Sequence, residues 1–506
     1  MVNGSIGFPE MIPQNRKTTG SDRIRAGEIE NADASFETDD KPEEACGVFG
    51  IFAPGKDISR IIYFGLHALQ HRGQESAGIA VADGSSILIY KDMGLVPQVF
   101  DERKLSGLQG DLGIGHVRYS TTGSPCWENA QPVHKTYSHG TLALVHNGNL
   151  INSKQLKDEL VRGGRKLSST SDTDLVAEKI VWYSNSHIEP AVEKTMKMLK
   201  GAYAILIMTE DRLIAIRDPY GIKPLSLGKI GDEWVVASET CALDIVGAVF
   251  ERDVEPGEMV VITKDGINSK QVIPAEKPSM CVFEFIYFAR PDSYIYDCNL
   301  YSARKNMGIE LARESSVDAD IVIGMPDSGT PAAIGFAEES KVPFGEGLIK
   351  NRYVGRTFIQ PDQTLRQLGV KMKLNPLKGA IKGKKIILVD DSIVRGNTCR
   401  QIVSVLKESG AKEVHVRISS PPITYSCYYG IDTDNSDQLI ASNKSEEEIR
   451  SFLGADSLSY LSLDGLIKAM GLEKDHFCLA CLNGSYPIPR TKELSISKTF
   501  LEKEKV

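Results

Sequence analysis

Up to about Glu44 the chain has almost no apolar periodicity and reads as a polar, acidic leader (NADASFETDDKPEE), so order is expected to begin at Cys46. From CGVFGIF to about Met280, short apolar stretches rich in β-branched residues recur: SAGIAVAD, GTLALVHNG, AYAILIMT, RLIAIRD, WVVASE and EMVVIT. Helical spacing shows at Arg60 to Gln70 and at Asp174 to Ser184, so this half predicts packed sheets with covering helices. From about Cys281 the texture changes to apolar runs that each lead into a helical segment: DIVIGMP into TPAAIGFAEES, KKIILVDDS into TCRQIVSVLKESG, then EVHVRISS. That alternation predicts a parallel α/β sheet. Beyond Pro421 the pattern predicts an acidic, helix-poor stretch, a short helix at Leu463 to Met470 and a C-x-x-C pair. The expected organisation is a removable leader over 1–45, a first domain over 46–280, a second over 281–490 and a flexible tail over 491–506.

Composition narrows the class. With 506 residues, 25% charged, 41% hydrophobic and a formal charge of -8, the chain reads as a soluble globular protein of two or three domains without the basic excess that nucleic acid demands. No apolar run approaches the roughly 18 residues of a membrane span, and no secretory signal opens the chain. A transit peptide would be Arg-rich and poor in acids, whereas the leader carries Glu28, Glu30, Asp33, Glu37, Asp39, Asp40, Glu43 and Glu44, so the expected compartment is the cytoplasm. Nine cysteines without an export signal read as thiols or metal ligands rather than a disulfide framework.

In KKIILVDDSIVRGNT an apolar strand ends in Asp390 and Asp391 and passes through a Ser/Gly/Thr loop into a helix starting near Thr398. Ligands of open α/β sheets sit beyond strand carboxyl ends, and helix N-termini hold phosphate, so Ser392, Arg395, Gly396 and Thr398 can cradle a 5-phosphate. The two carboxylates can take ribose hydroxyls and Mg²⁺. Taken alone, the acidic pair reads equally as a capping turn or the acidic pocket of a receiver-type domain. The whole string resembles the phosphoribosyl pyrophosphate (PRPP) signature of type I phosphoribosyltransferases, and that resemblance adds Ser328, in IVIGMPDSGTP, to the pyrophosphate and metal contacts. Between these strand ends lies a basic stretch with Lys350, Arg352, Arg356, Arg366, Lys371 and Lys373. Such a run is usually a solvated surface, but its place between two phosphate loops favours a lid, with Lys350, Arg352 and Lys373 on the substrate.

Cys46 makes chemical sense as the first residue of a mature chain, because its own α-amine, with a pKa of about 8, can then serve as the base. A lone cysteine before a Gly-Val strand is more often a small buried hydrophobe. The motifs GHVRYSTTG, HNGNL and SDTD follow it in order, however, and together they resemble the class II, N-terminal-nucleophile (Ntn) glutamine amidotransferases. This resemblance implies an αββα sandwich, Arg118 on the glutamine carboxylate, Asp172 on its ammonium, Asn147 and the Gly148 N–H as oxyanion hole, and Thr121 and Thr122 lining the pocket.

By spacing, Cys478 and Cys481 with Cys281 and Cys427 admit zinc, an iron–sulfur cluster or partly unrelated thiols, with zinc slightly ahead. The two halves together resemble the amidophosphoribosyltransferase family from Cys46 to about Pro489, and the contexts VFEFIYFARPDS, SPPITYSCYYG and FCLACLNGSYP match its branch bearing a [4Fe–4S] cluster. What the resemblance implies is glutamine-dependent synthesis of 5-phosphoribosylamine, the first committed step of purine synthesis, with Mg²⁺, feedback by purine nucleotides and a homotetramer. A glutamine-dependent sugar-phosphate aminotransferase and a PRPP-sensing regulator are the rival readings.

Overall fold

A computed structural model describes residues 46–120, 123–184, 187–351, 374–431, 433 and 436–489. The expected leader and tail lie outside the described residues, as do Thr121, Thr122, Arg352, Arg356, Arg366, Lys371 and Lys373.

The first half is two stacked antiparallel sheets between helices. Seven strands run in the order Val249–Asp253, Ser226–Ile230, Glu233–Ala237, Gly47–Phe52, Leu112–Arg118, Ser76–Ala82, Ile87–Met93. Six run in the order Gly266–Gln271, Glu258–Thr263, Leu213–Arg217, Gly201–Met208, Gly140–Leu150, Val133–Tyr137. Alternation along each strand sends one set of side chains between the sheets, where Val48, Ile114, Val145, Leu206 and Val260 form a closed core. The other set meets the helices. Ile62 and Leu66 of helix Ile58–Ala68 cover Phe49 and Ile51, while helices Ser153–Arg162, Asp172–Tyr183 and Ile188–Met196 cover Leu144, Ile205 and Ile207. This is the αββα sandwich expected from the motifs.

The second half is built on a four-stranded parallel sheet in the order Ile321–Gly324, Lys385–Asp390, Glu413–Ile418, Ser457–Tyr460. Ile386, Ile387, Leu388 and Val389 of its second strand are fully buried, as a parallel strand covered on both faces requires. Helices Thr330–Ser340 and Leu463–Met470 fall where the apolar spacing puts them.

The stretch beyond Pro421 differs from the helix-poor expectation, because it contains the helix Glu446–Leu453 and the strand Ser457–Tyr460. Only Ile449 and Leu453 of that helix are buried, so its apolar period is faint. Its stability comes from the N-terminus: Ser445 and Glu448 form a reciprocal capping box, and three glutamates in the first turn complement the helix dipole.

Candidate functional site

Cys46 lies at the start of strand Gly47–Phe52, paired with the strand that ends in Arg118, and is 5% exposed. Its thiol donates to the Tyr119 carbonyl at 3.4 Å. With the leader attached, burial pushes the Cys46 thiol up to about 12 against the opposing charge of Arg118, so it is not a thiolate at neutral pH. Arg118, Glu75, Asp172 and Lys223 all lie within electrostatic reach of the sulfur.

The other residues of the glutamine motifs gather at the same end of the sandwich. Arg118 is 2% exposed and donates to the carbonyls of Gly123 and Ser124, both at 3.2 Å, with Glu75 at 3.9 Å. Asp172 opens a helix capped by Ser171, and its carboxylate accepts the Leu150 N–H at 3.2 Å. Burial pushes the Asp172 carboxyl up, but His146, 3.5 Å away, and the N–H groups of Leu150 and Thr173 outweigh it and hold the carboxyl below its ordinary range. A buried anion results, suited to an ammonium.

Asn147 and Gly148 stand on strand Gly140–Leu150, in the other sheet. The tie between sheets is His116 Nε2, 3.1 Å from the His146 carbonyl oxygen. His116 is held down to about 3 by burial, so it is neutral and donates from Nε2. The Asn147 side chain is fully buried, and neither its amide nitrogen nor its oxygen has a hydrogen-bond partner among the described residues. Gly148 has φ +146°, and a β-carbon there would lie 2.0 Å from the Ala202 carbonyl oxygen, so only glycine fits.

Two features of this site were not legible in the sequence. Arg72, fully buried, donates from Nε to the Cys46 carbonyl and forks onto Glu284, and Glu75 faces Arg118. Both lie in QHRGQES, a polar turn whose spacing carries no periodic signal.

In the second half, Asp390 and Asp391 end the second strand of the parallel sheet, 3% and 1% exposed. Asp390 Oδ1 accepts the Asp391 N–H at 2.9 Å, and Asp391 Oδ1 accepts the Ser392 hydroxyl at 2.6 Å. Gly396, at φ +85°, turns the loop into helix Asn397–Glu408, and Thr398 sits in its first turn. Arg395 donates to Gln438 Oε1 at 2.6 Å. The Ser328 loop lies alongside: Met325 N–H bonds the Val389 carbonyl at 2.8 Å, and a β-carbon on Gly329 would lie 3.1 Å from the Asp390 α-carbon. Lys350 is exposed and pairs with Asp327 of that loop at 2.8 Å. Arg304, another residue unmarked in the sequence, is buried within electrostatic reach of Asp391.

Cys281, Cys427, Cys478 and Cys481 line one small enclosed cavity, together with Lys223, Tyr429 and Tyr486. A short parallel pairing puts Cys281 opposite Cys478. The thiols share this space without converging on a single-ion position: among the described residues, no three His, Cys, Asp or Glu side chains do so. Burial raises all four thiols, Cys281 to about 12. Lys223 is fully buried, and its ammonium has no hydrogen-bond partner among the described residues.

Residues 116–244 match a glutamine amidotransferase domain model and residues 301–419 a phosphoribosyl transferase domain model. An amidophosphoribosyltransferase of Synechococcus elongatus is 51% identical over 93% of this chain and 97% of its own length. One of Arabidopsis thaliana, described as chloroplastic, is 48% identical over 90% of this chain and 81% of its own. A solved glutamine PRPP amidotransferase from B. subtilis, complexed with ADP and GMP, superposes with a TM-score of 0.84 at 50% identity, covering 88% of this chain and 98% of that one.

Proposed function

The chain belongs to the amidophosphoribosyltransferase family, and from that membership we propose how its residues divide the reaction. The enzyme moves ammonia from glutamine to PRPP, giving 5-phosphoribosylamine, glutamate and pyrophosphate in purine biosynthesis. Arg118 takes the glutamine carboxylate and Asp172 its ammonium, with Thr121 and Thr122 along the pocket. Cys46, freed of the leader, uses its α-amine to accept the thiol proton, attacks the amide carbon and forms a thioester as ammonia leaves; water then releases glutamate. Asn147 and the Gly148 N–H stabilise the oxyanion. The observation that carries this assignment is the Asn147 amide on the facing sheet, buried with no hydrogen-bond partner among the described residues, because such a group is costly unless a ligand completes it.

Ammonia then meets PRPP, whose 5-phosphate lies on the Ser392–Thr398 loop, with Arg395 and Gly396 in the turn. Lys350, Arg352 and Lys373 close over the pyrophosphate, sealing the path from bulk water. Asp390, Asp391 and Ser328 offer two buried carboxylates and a hydroxyl, a donor set that fits Mg²⁺. When bound, Mg²⁺ offsets the charge growing on pyrophosphate. The four cavity thiols fit an anionic [4Fe–4S] cluster, since Lys223, whose side-chain nitrogen has no hydrogen-bond partner among the described residues, would supply a countercharge that four neutral thiols would not need. Held by Cys281, Cys427, Cys478 and Cys481, such a cluster would serve structurally, adding to the pairing of Met280–Cys281 with the C-terminal segment. Inhibition by purine nucleotides, a homo-oligomeric (tetrameric) assembly and a cytoplasmic location complete the proposal; no helix among the described residues is long and apolar enough to cross a membrane.

The test is Cys46→Ser. It should abolish glutamine-dependent synthesis and leave ammonia-dependent synthesis largely intact, whereas equal loss of both would overturn the division into two sites.

A further inference from the structure

The segment that carries Cys427 also touches the strand that carries Asn147 and Gly148. Asn149 donates from Nδ2 to the Tyr428 carbonyl at 2.9 Å. Two residues further, Gly430 is buried with φ +103°, and a β-carbon added to it would lie 3.2 Å from the Gly148 carbonyl carbon and 3.3 Å from its oxygen. The segment is itself fixed. The Tyr429 hydroxyl donates to the Ile488 carbonyl and lies 3.2 Å from the Ile488 nitrogen, while the Tyr486 hydroxyl donates to the Ser426 carbonyl at 2.6 Å. Thr424 and Tyr425 donate their N–H groups to the Cys481 carbonyl at 3.0 and 3.1 Å.

We propose that Gly430 is a positioning residue for the glutaminase reaction: through its contact with Gly148 and the neighbouring Asn149–Tyr428 bond, the cysteine-bearing segment sets where the Gly148 peptide stands. The proposal rests on the reading of Gly148 as an oxyanion donor. Oxyanion stabilisation depends on donors held about 2.7–3.1 Å from the developing charge, and loss of one donor costs about 10²–10³ in kcat. A displacement of a few tenths of an ångström at Gly148 therefore acts on the transition state and hardly on bound glutamine. The strand is held at its other edge by pairing with Gly201–Met208, which leaves the Gly430 side as the face where the second half can press on the hole.

Gly430→Ala adds a β-carbon against the Gly148 peptide and strains a left-handed backbone. Its kcat for glutamine hydrolysis should fall about tenfold or more with KM for glutamine unchanged, a partial loss on the scale of one oxyanion donor. Ammonia-dependent synthesis and iron content should match the parent enzyme. Asn149→Ala, which adds no bulk, should reproduce the split at smaller amplitude and decides the matter if Gly430→Ala does not fold. Parent-like kcat in Asn149→Ala and in any folded Gly430→Ala, or parallel loss of both activities, overturns the proposal. Asn147→Ala separates the two readings. If it leaves glutaminase kcat intact, the oxyanion assignment itself fails; if it lowers kcat while the other variants do not, only the role of Gly430 fails.

Discussion

Arg72 donates from Nε to the carbonyl oxygen of Cys46 at 3.1 Å. The rest of its guanidinium, fully buried, reaches Glu284 at 2.7 Å and Glu239 at 2.5 Å, so one side chain joins the candidate nucleophile to the segment that opens the second half. Replacing it with Met would strip the buried Glu284 of its guanidinium partner and leave Glu239 with His71 alone as a charged partner. Arg72→Met should lower unfolding free energy by about 3–5 kcal/mol, the usual effect of breaking a buried pair. Chemical denaturation checks it, and a variant as stable as the parent would remove Arg72 from this role.

Glu239 makes stability depend on acid. Burial raises its carboxyl, but His71 and Arg72 outweigh burial and hold it well below its ordinary value of 4.5. A depressed folded-state value contributes stability that is present above the unfolded value and lost as pH falls towards the folded one. The thermal midpoint should therefore fall as pH drops below about 4.5, and Glu239→Gln should show a shallower acid slope. Equal slopes would contradict the linkage.

The chain that retains Ala45 should lack glutaminase activity. Its Cys46 thiol, raised to about 12, has no α-amine beside it. Intact-mass analysis of active enzyme should give a chain beginning at Cys46, and iodoacetamide at neutral pH should label Cys46 faster in that form than in the unprocessed one.

Asp390→Asn and Asp391→Asn should each lower synthesis with either nitrogen donor by about 10²-fold or more, because metal-assisted charge stabilisation is worth several kcal/mol. Steady-state kinetics with ammonia in place of glutamine make the measurement. Near-parent rates in both would take these carboxylates out of the mechanism.

Anaerobically purified protein should be brown and contain about four irons and four sulfides per chain. Cys427→Ser should be poorly soluble, since a group bound only by the folded state contributes its binding free energy to folding. Colourless active protein with stoichiometric zinc and no sulfide would overturn the cluster assignment.

Local pattern alone determined a good deal of this protein. Short apolar runs such as GTLALVHNG and AYAILIMT became neighbouring strands, TPAAIGFAEES became a helix with the same bounds, and the strand-to-loop chemistry of LVDDSIVRGNT lies at a sheet's carboxyl edge. These are decided within a few residues, by which short apolar runs can be buried on both faces and by which turns precede a helix. Helix Glu446–Leu453 was obscured because just two buried residues carry its period. What only the tertiary structure decided are the pairings of distant residues: Arg72 with Cys46 and Glu284, Lys223 with four separate cysteines, and Gly430 with Gly148. Each partner satisfies a local role by itself, as a polar turn, a lysine after a strand or a glycine in a bend. Burial and charge couple them once the strands between them have stacked, and no periodicity along the chain encodes a contact made across it.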